Sequence, residues 1–137
     1  FILQNSAVTA LGLSGGMGLG YDGIPSSIAV KFDIWNNSGE GTNSTGLYQN
    51  GSMPTTPSID LTGTGIDLLS GHVFNVTISY NGTTLTVQET DATTLATATQ
   101  NYTINLPSVI GASTAYAGFS GGSGSATAIQ EILTWTY

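Results

Sequence analysis

Gly20-Tyr-Asp-Gly-Ile-Pro-Ser-Ser-Ile-Ala-Val-Lys-Phe-Asp-Ile-Trp-Asn-Asn-Ser38 is the stretch that decides how this chain folds. A glycine-containing turn runs into a strand over Ile28–Trp35, in which Ile28, Val30, Phe32 and Ile34 alternate with their neighbours. A period of two marks a strand with one face in a core. Asp33 and Trp35 project from the other face, and Asn37 follows at the strand's end. An acid on a strand with a carboxamide four residues on supplies hard oxygen donors, the start of a calcium or sugar site.

The rest of the chain also reads as all-β. No segment holds an apolar period of 3.6 for long, and glycine and threonine are too frequent for stable helices. Phe1–Gln4 reads as the end of a strand begun upstream, Leu11–Gly23 as a glycine-rich loop, Gly39–Thr45 as a polar loop and Gly46–Asn50 as a short strand. Gly51–Gly71, with Pro54 and Pro57, is a long excursion. Val73–Tyr80 and Thr83–Glu89 flank Asn81-Gly82. That dipeptide predicts a type I′ hairpin pairing Tyr80 with Thr83, Ile78 with Leu85 and Val76 with Val87. A turn near Asp91 leads to a Thr-rich strand reaching Tyr102, Ile104 and Leu106, which Pro107 stops. Two strands close the chain, Thr114–Ser120 and Ala126–Tyr137. Strands with Gly/Pro turns at this spacing predict an antiparallel two-sheet sandwich, residues 1–137 forming a single domain.

Composition narrows the partners. The chain has 137 residues, one basic side chain (Lys31), eight acids and a net charge of −7. Nucleic acid and anionic membranes call for a basic patch, which is missing. No apolar run approaches the roughly 20 residues that cross a bilayer. Cysteine is absent, so disulfides and thiolate metal sites are excluded. A surface of Ser, Thr, Asn and Gly with almost no trypsin site suits an extracellular or cell-surface protein. Asn-x-Ser/Thr sequons stand at Asn36, Asn43, Asn50, Asn75, Asn81 and Asn101.

The segment Gly20–Ser38 resembles the metal-site strand of legume-type (L-type) lectins. Ala115-Tyr-Ala-Gly-Phe-Ser120, a Gly/Ser loop and Gln130-Glu-Ile-Leu-Thr-Trp-Thr-Tyr137 resemble the last two strands of the same family, in the same order. The resemblance implies a concanavalin A-like jelly-roll sandwich and an extracellular, non-catalytic carbohydrate-binding module whose partner is a glycan or polysaccharide. It covers only the later part of the family's domain, so the chain resembles a bacterial-type member that lacks the N-terminal part. The chain is therefore expected to be a fragment, or a subunit that borrows strands. A second function follows from that: a structural or adhesive subunit that self-associates through strand donation.

In the resembled family a Glu and an Asp two apart on one strand bind a transition metal, and the Asp also binds calcium. Lys31 stands in the Glu position and no histidine lies near Ser44–Gly46, so no transition metal is expected. An ammonium ligates no cation. Lys31 instead places its own charge there, paired with Asp33. The resemblance implies a calcium set of Asp33, the Trp35 carbonyl, Asn37 and Glu40, with Asn43 as an alternative to Glu40. The other reading is a plain Lys31–Asp33 ion pair over a hydrated loop. For sugar, the resemblance points to Asn37, to Gly16 and Gly18 in the glycine-rich loop, and to Ser123 and Ser125 in the last loop. Trp35 either stacks a sugar ring or packs in the core; Trp135 reads as structural. A retaining glycosidase needs two carboxylates roughly 5–5.5 Å apart, and no Glu lies two residues from Asp33. His72, the one histidine, heads a strand. The glycine-rich Gly15–Gly20 run leads into Pro25 and a strand, which excludes a phosphate loop.

Overall fold

The computed structural model describes residues 1–125 and 127–137. Its strands are β1 (Ile2–Gln4), β2 (Ser27–Asp33), β3 (Ser44–Gln49), β4 (Ile59–Asp60), β5 (Phe74–Tyr80), β6 (Thr84–Asp91), β7 (Thr97–Thr103) and β8 (Tyr116–Gly118). They form a five-stranded sheet in the order β4-β3-β2-β1-β8 and a three-stranded sheet in the order β5-β6-β7. Every pairing is antiparallel. Among the described residues, one α-helical segment, α1 (Leu106–Ile110), and a 3-10 turn at Gly16–Gly18 complete the regular structure.

The alternation on β2 does what its period predicts. Ile28 and Val30 are buried against Leu85, Val87, Ile104 and Leu106, with Phe1, Leu3, Phe32, Leu47, Ile78, Tyr80 and Tyr102 packed around them. This is the layer between the two sheets. The opposite face of β2 is buried as well. Ala29 packs with Ile2, Tyr21, Ile24 and Tyr48, because the loops before β2 and after β3 fold back over it. Lys31 and Asp33 therefore lie inside the protein, 3% and 5% exposed. A third cluster of Leu61, Ile66 and Ala98 holds the excursion between β4 and β5.

Four sequence expectations are corrected. The strand over Ile28–Trp35 ends at Asp33, whose Oδ1 accepts the Trp35 N–H at 3.0 Å and turns the chain. The hairpin register is shifted by two residues: Tyr80 faces Leu85, Ile78 faces Val87 and Val76 faces Glu89. A type I′ turn needs a positive φ at both central residues. Gly82 has one (φ 101) and Asn81 does not. The Asn81 side chain instead accepts from the N–H groups of Thr83 and Thr84, at 3.0 and 2.8 Å, and widens the turn. A shift of two keeps the apolar side chains on one face, so the inward set survives. Pro107 does more than stop a strand. β7 ends at Thr103, Asn105 caps α1 by accepting the Ser108 N–H, and Pro107 sits in the first helical turn, where its missing N–H costs nothing.

The fourth correction is the closing strand. Ala126, its expected first residue, lies outside the described residues, and residues 127–137 form no strand. An extended segment becomes a strand only along a free edge. β1 is taken on both sides, by β2 and β8, and the segment does not pair with the side of β8 that stays open. Residues 127–137 are instead held by aromatic contacts: Trp135 meets Phe119 edge-to-face at 5.5 Å, and Phe119 meets Phe1 at 5.8 Å. Trp135 is half exposed and packs through its Phe119 contact and not in the core between the sheets.

Candidate carbohydrate and metal site

The outward half of β2 and the loop behind it hold the first part of the site. Lys31 Nζ stands 3.4 Å from Asp33 Oδ2 and donates to the Thr55 carbonyl at 3.2 Å. It also lies 5.6 Å from the centre of the Tyr48 ring, the distance range of a cation–π contact. The Tyr48 hydroxyl lies 2.8 Å from both the Thr55 and Pro57 carbonyls. Gly46 makes room for this ring: a Cβ there would stand 2.8 Å from the Tyr48 hydroxyl. Burial pushes the Tyr48 phenol up, and Glu40, Tyr102 and Asp33 push it further.

Beyond Asp33 the chain forms a tight loop. Asn36 Oδ1 accepts the Gly39 N–H at 2.7 Å, and Glu40 Oε2 accepts the Ser38 N–H at 2.5 Å. Gly39 and Gly41 have φ of 93° and 86°, values that favour glycine. Glu40 is buried, and its other oxygen, Oε1, has no hydrogen-bond partner. Ser44 on β3 pairs with Asp33 on β2, and the buried Oγ of Ser44 is also unpartnered. Burial raises the Glu40 carboxyl, but the amides around it and the Asn37 side chain outweigh that, so its net shift is downward. Glu40 is held as an anion. Trp35, half exposed, and Asn37, exposed, stand on this loop.

The second part is a pair of touching loops. Ser14 donates its N–H and its hydroxyl to the two oxygens of Asp22, each at 2.9 Å. A Cβ on Gly18 would stand 2.3 Å from Asp22 Oδ1, so this residue must be glycine. Gly18 is buried. It shapes the loop, and its surface is not offered to a sugar. Gly16 N–H donates to the Ser123 carbonyl at 3.2 Å, and Ser120 Oγ donates to the Leu19 carbonyl at 2.8 Å. Gly16 and Ser123 are thus brought together. Ser125 is exposed further along the same loop.

Asn43 is engaged inside the fold. Its carboxamide donates to the Ile66 carbonyl at 2.7 Å and accepts the Leu68 N–H at 3.1 Å, so both ends are in use. Sequence reasoning also missed Asp22, Tyr48 and Thr55. The acid two residues past a Gly-x-Gly run, and the glycine two residues before Tyr48, were the available signals.

The donors fit calcium better than a transition metal. Asp33, Glu40 with its orphaned oxygen, a carbonyl and a carboxamide offer hard oxygen donors of the kind calcium takes. Among the described residues, no three His, Cys, Asp or Glu side chains converge to hold a metal ion. Transition metals favour nitrogen and sulfur ligands, and an ammonium stands beside Asp33.

The fold is an antiparallel two-sheet sandwich that carries a glycine-rich loop contact and an acidic, oxygen-lined turn. The legume lectin domain model matches residues 1–137, and the chain belongs to that family. A carbohydrate-binding, lectin-like role follows from it. No curated protein matches the chain. Among the described residues, no helix is long and apolar enough to cross a membrane.

Proposed function

We propose that residues 1–137 act as one extracellular glycan-binding module, calcium-dependent and without catalytic activity. The observation that carries this reading is the buried, unpartnered Glu40 Oε1 on the loop that Asp33 anchors. A buried anionic oxygen without a partner is costly, and a cation relieves it. Asp33, the Trp35 carbonyl, Asn37 and Glu40 would hold the ion. When bound, calcium supplies a positive charge that stiffens the loop. Asn37 then presents its carboxamide to sugar hydroxyls, Trp35 offers a ring face, and the loops joined at Gly16 and Ser123 contribute further contacts.

The non-catalytic reading draws on Lys31 standing where a second carboxylate would be needed. His72 is engaged too, its Nδ1 lying 2.8 Å from Asp91 Oδ2. Location outside the cell draws on a surface of Ser, Thr, Asn and Gly with a single basic residue.

A glycan array probed in millimolar calcium and again in EDTA tests the reading. Binding in calcium that chelation abolishes is the expected result. No glycan bound in either condition overturns it, as does release of reducing ends from a bound polysaccharide.

A further inference from the structure

We infer that the Lys31 ammonium is a resident cation that does the structural work of a transition-metal ion, so that this lectin-like site organises its loops without one. The inference uses the calcium and glycan reading above only for its functional consequence. Its geometry and its test stand apart from that reading.

Lys31 is 3% exposed and sits where β2, β3 and the segment after β3 meet. Its Nζ reaches the Asp33 carboxylate at 3.4 Å, the Thr55 carbonyl at 3.2 Å and the face of Tyr48. Tyr48 in turn reaches the Thr55 and Pro57 carbonyls. One positive charge thereby joins the strand, the neighbouring aromatic and the loop carrying residues 55–57. Asp33 transmits the constraint, since its other oxygen accepts the Trp35 N–H that starts the loop of Asn37 and Glu40. A metal ion bridging two loops through a carboxylate does the same work. An ammonium does it by hydrogen bonds, and it cannot be removed by chelation.

The ammonium also excludes a second divalent ion. A cation placed beside Asp33 on this side would meet a like charge inside a poorly solvated interior, where repulsion is weakly screened. The family resemblance implies two metals. The residues present fit one.

The test uses the full chain, stripped of metal with EDTA, and reads melting temperature and bound metal by elemental analysis. Wild type is expected to bind no stoichiometric manganese, and millimolar manganese leaves its melting temperature unchanged. Lys31→Met keeps the stem and removes the charge, leaving Asp33 buried without its counter-ion. It is expected to melt at least about 5 °C lower, with no rescue by manganese. Lys31→Glu sets two carboxylates two residues apart on one face. It is expected to melt lower without metal and to recover with manganese. Stoichiometric manganese in wild type overturns the inference, as does a Lys31→Met variant that melts with wild type. If Lys31→Glu fails to fold, the Lys31→Met comparison and the wild-type titration still decide it. Loss of all glycan binding with these results intact would defeat the functional reading and leave the resident cation standing.

Discussion

The backbone N–H of Gly16 donates to the carbonyl of Ser123 at 3.2 Å, joining the loop before β2 to the loop after β8. The approach depends on glycine. A Cβ on Gly122 would stand 2.7 Å from the Gly15 carbonyl carbon and 2.9 Å from the Gly16 nitrogen. A Cβ on Gly124 would meet only Gly16 Cα, at 3.6 Å, an ordinary contact. Gly122→Ala should push the loops apart and weaken glycan binding by about tenfold, ~1.4 kcal/mol. Gly124→Ala should leave binding near wild type. Equal affinities for both variants, measured by titration calorimetry, would show that the contact does not shape the site.

Glu89 makes the sharpest claim about stability. It lies on β6 facing inward, fully buried, with neither carboxylate oxygen hydrogen-bonded. Burial pushes its carboxyl above the ordinary 4.5, and the Gln100 carboxamide, close but out of hydrogen-bonding geometry, offsets only part of that. A raised pKa in the folded state means that the folded chain holds a proton the unfolded chain releases. Stability from this group is full below 4.5 and is lost as pH rises. Glu89→Leu should therefore stabilise the protein at neutral pH by about 1–3 kcal/mol and flatten that slope. Urea denaturation at several pH values measures both effects; an unchanged slope in the variant would assign it to another group.

Asp91, two residues on, behaves in the opposite sense. The His72 ring donates to its Oδ2 at 2.8 Å, and the N–H groups of Thr93 and Thr94 donate to its Oδ1. Those bonds hold its carboxyl down, to about 2. A depressed carboxyl stabilises the fold above its ordinary 3.8, and that contribution fades as pH falls toward about 2. Asp91→Asn mimics the protonated acid. It should melt below wild type at neutral pH, with the gap closing between 3.8 and about 2. A gap that stays constant with pH would mean that charge at Asp91 carries none of it.

Asn43 should prove structural. Its side chain satisfies the Ile66 carbonyl and the Leu68 N–H at once. Asn43→Ala leaves both unpaired beside the Leu61–Ile66 cluster and should cost about 2–3 kcal/mol. Because its nitrogen is engaged inside the fold, the Asn43 sequon should stay unmodified in a glycosylating host. Peptide mass mapping checks the second point and thermal denaturation the first.

Much of the sandwich was legible. Ile28, Val30 and Phe32 face the other sheet because a strand's period of two is a local property of its backbone. The hairpin's inward set was legible for the same reason. Its register was not, since the choice between two turns was made by the Asn81 side chain accepting two amides. Asp33, Gly16 and Ser123 were singled out through the family resemblance, but the contact between Gly16 and Ser123 was not read from it. Gly18 was read as a sugar contact and turned out to be a packing position against Asp22.

The sequence by itself determined the strand class, the faces turned inward, the charge poverty of the surface and the Lys31–Asp33 pairing, because each depends on residues close along the chain. Only the tertiary structure decided that both faces of β2 are buried, that Lys31 reaches Thr55 and Tyr48, and that residues 127–137 form no strand. These depend on which loop lies over a strand and which edges are taken, and distant segments settle that jointly by competing for the same apolar surface and the same unpaired amides.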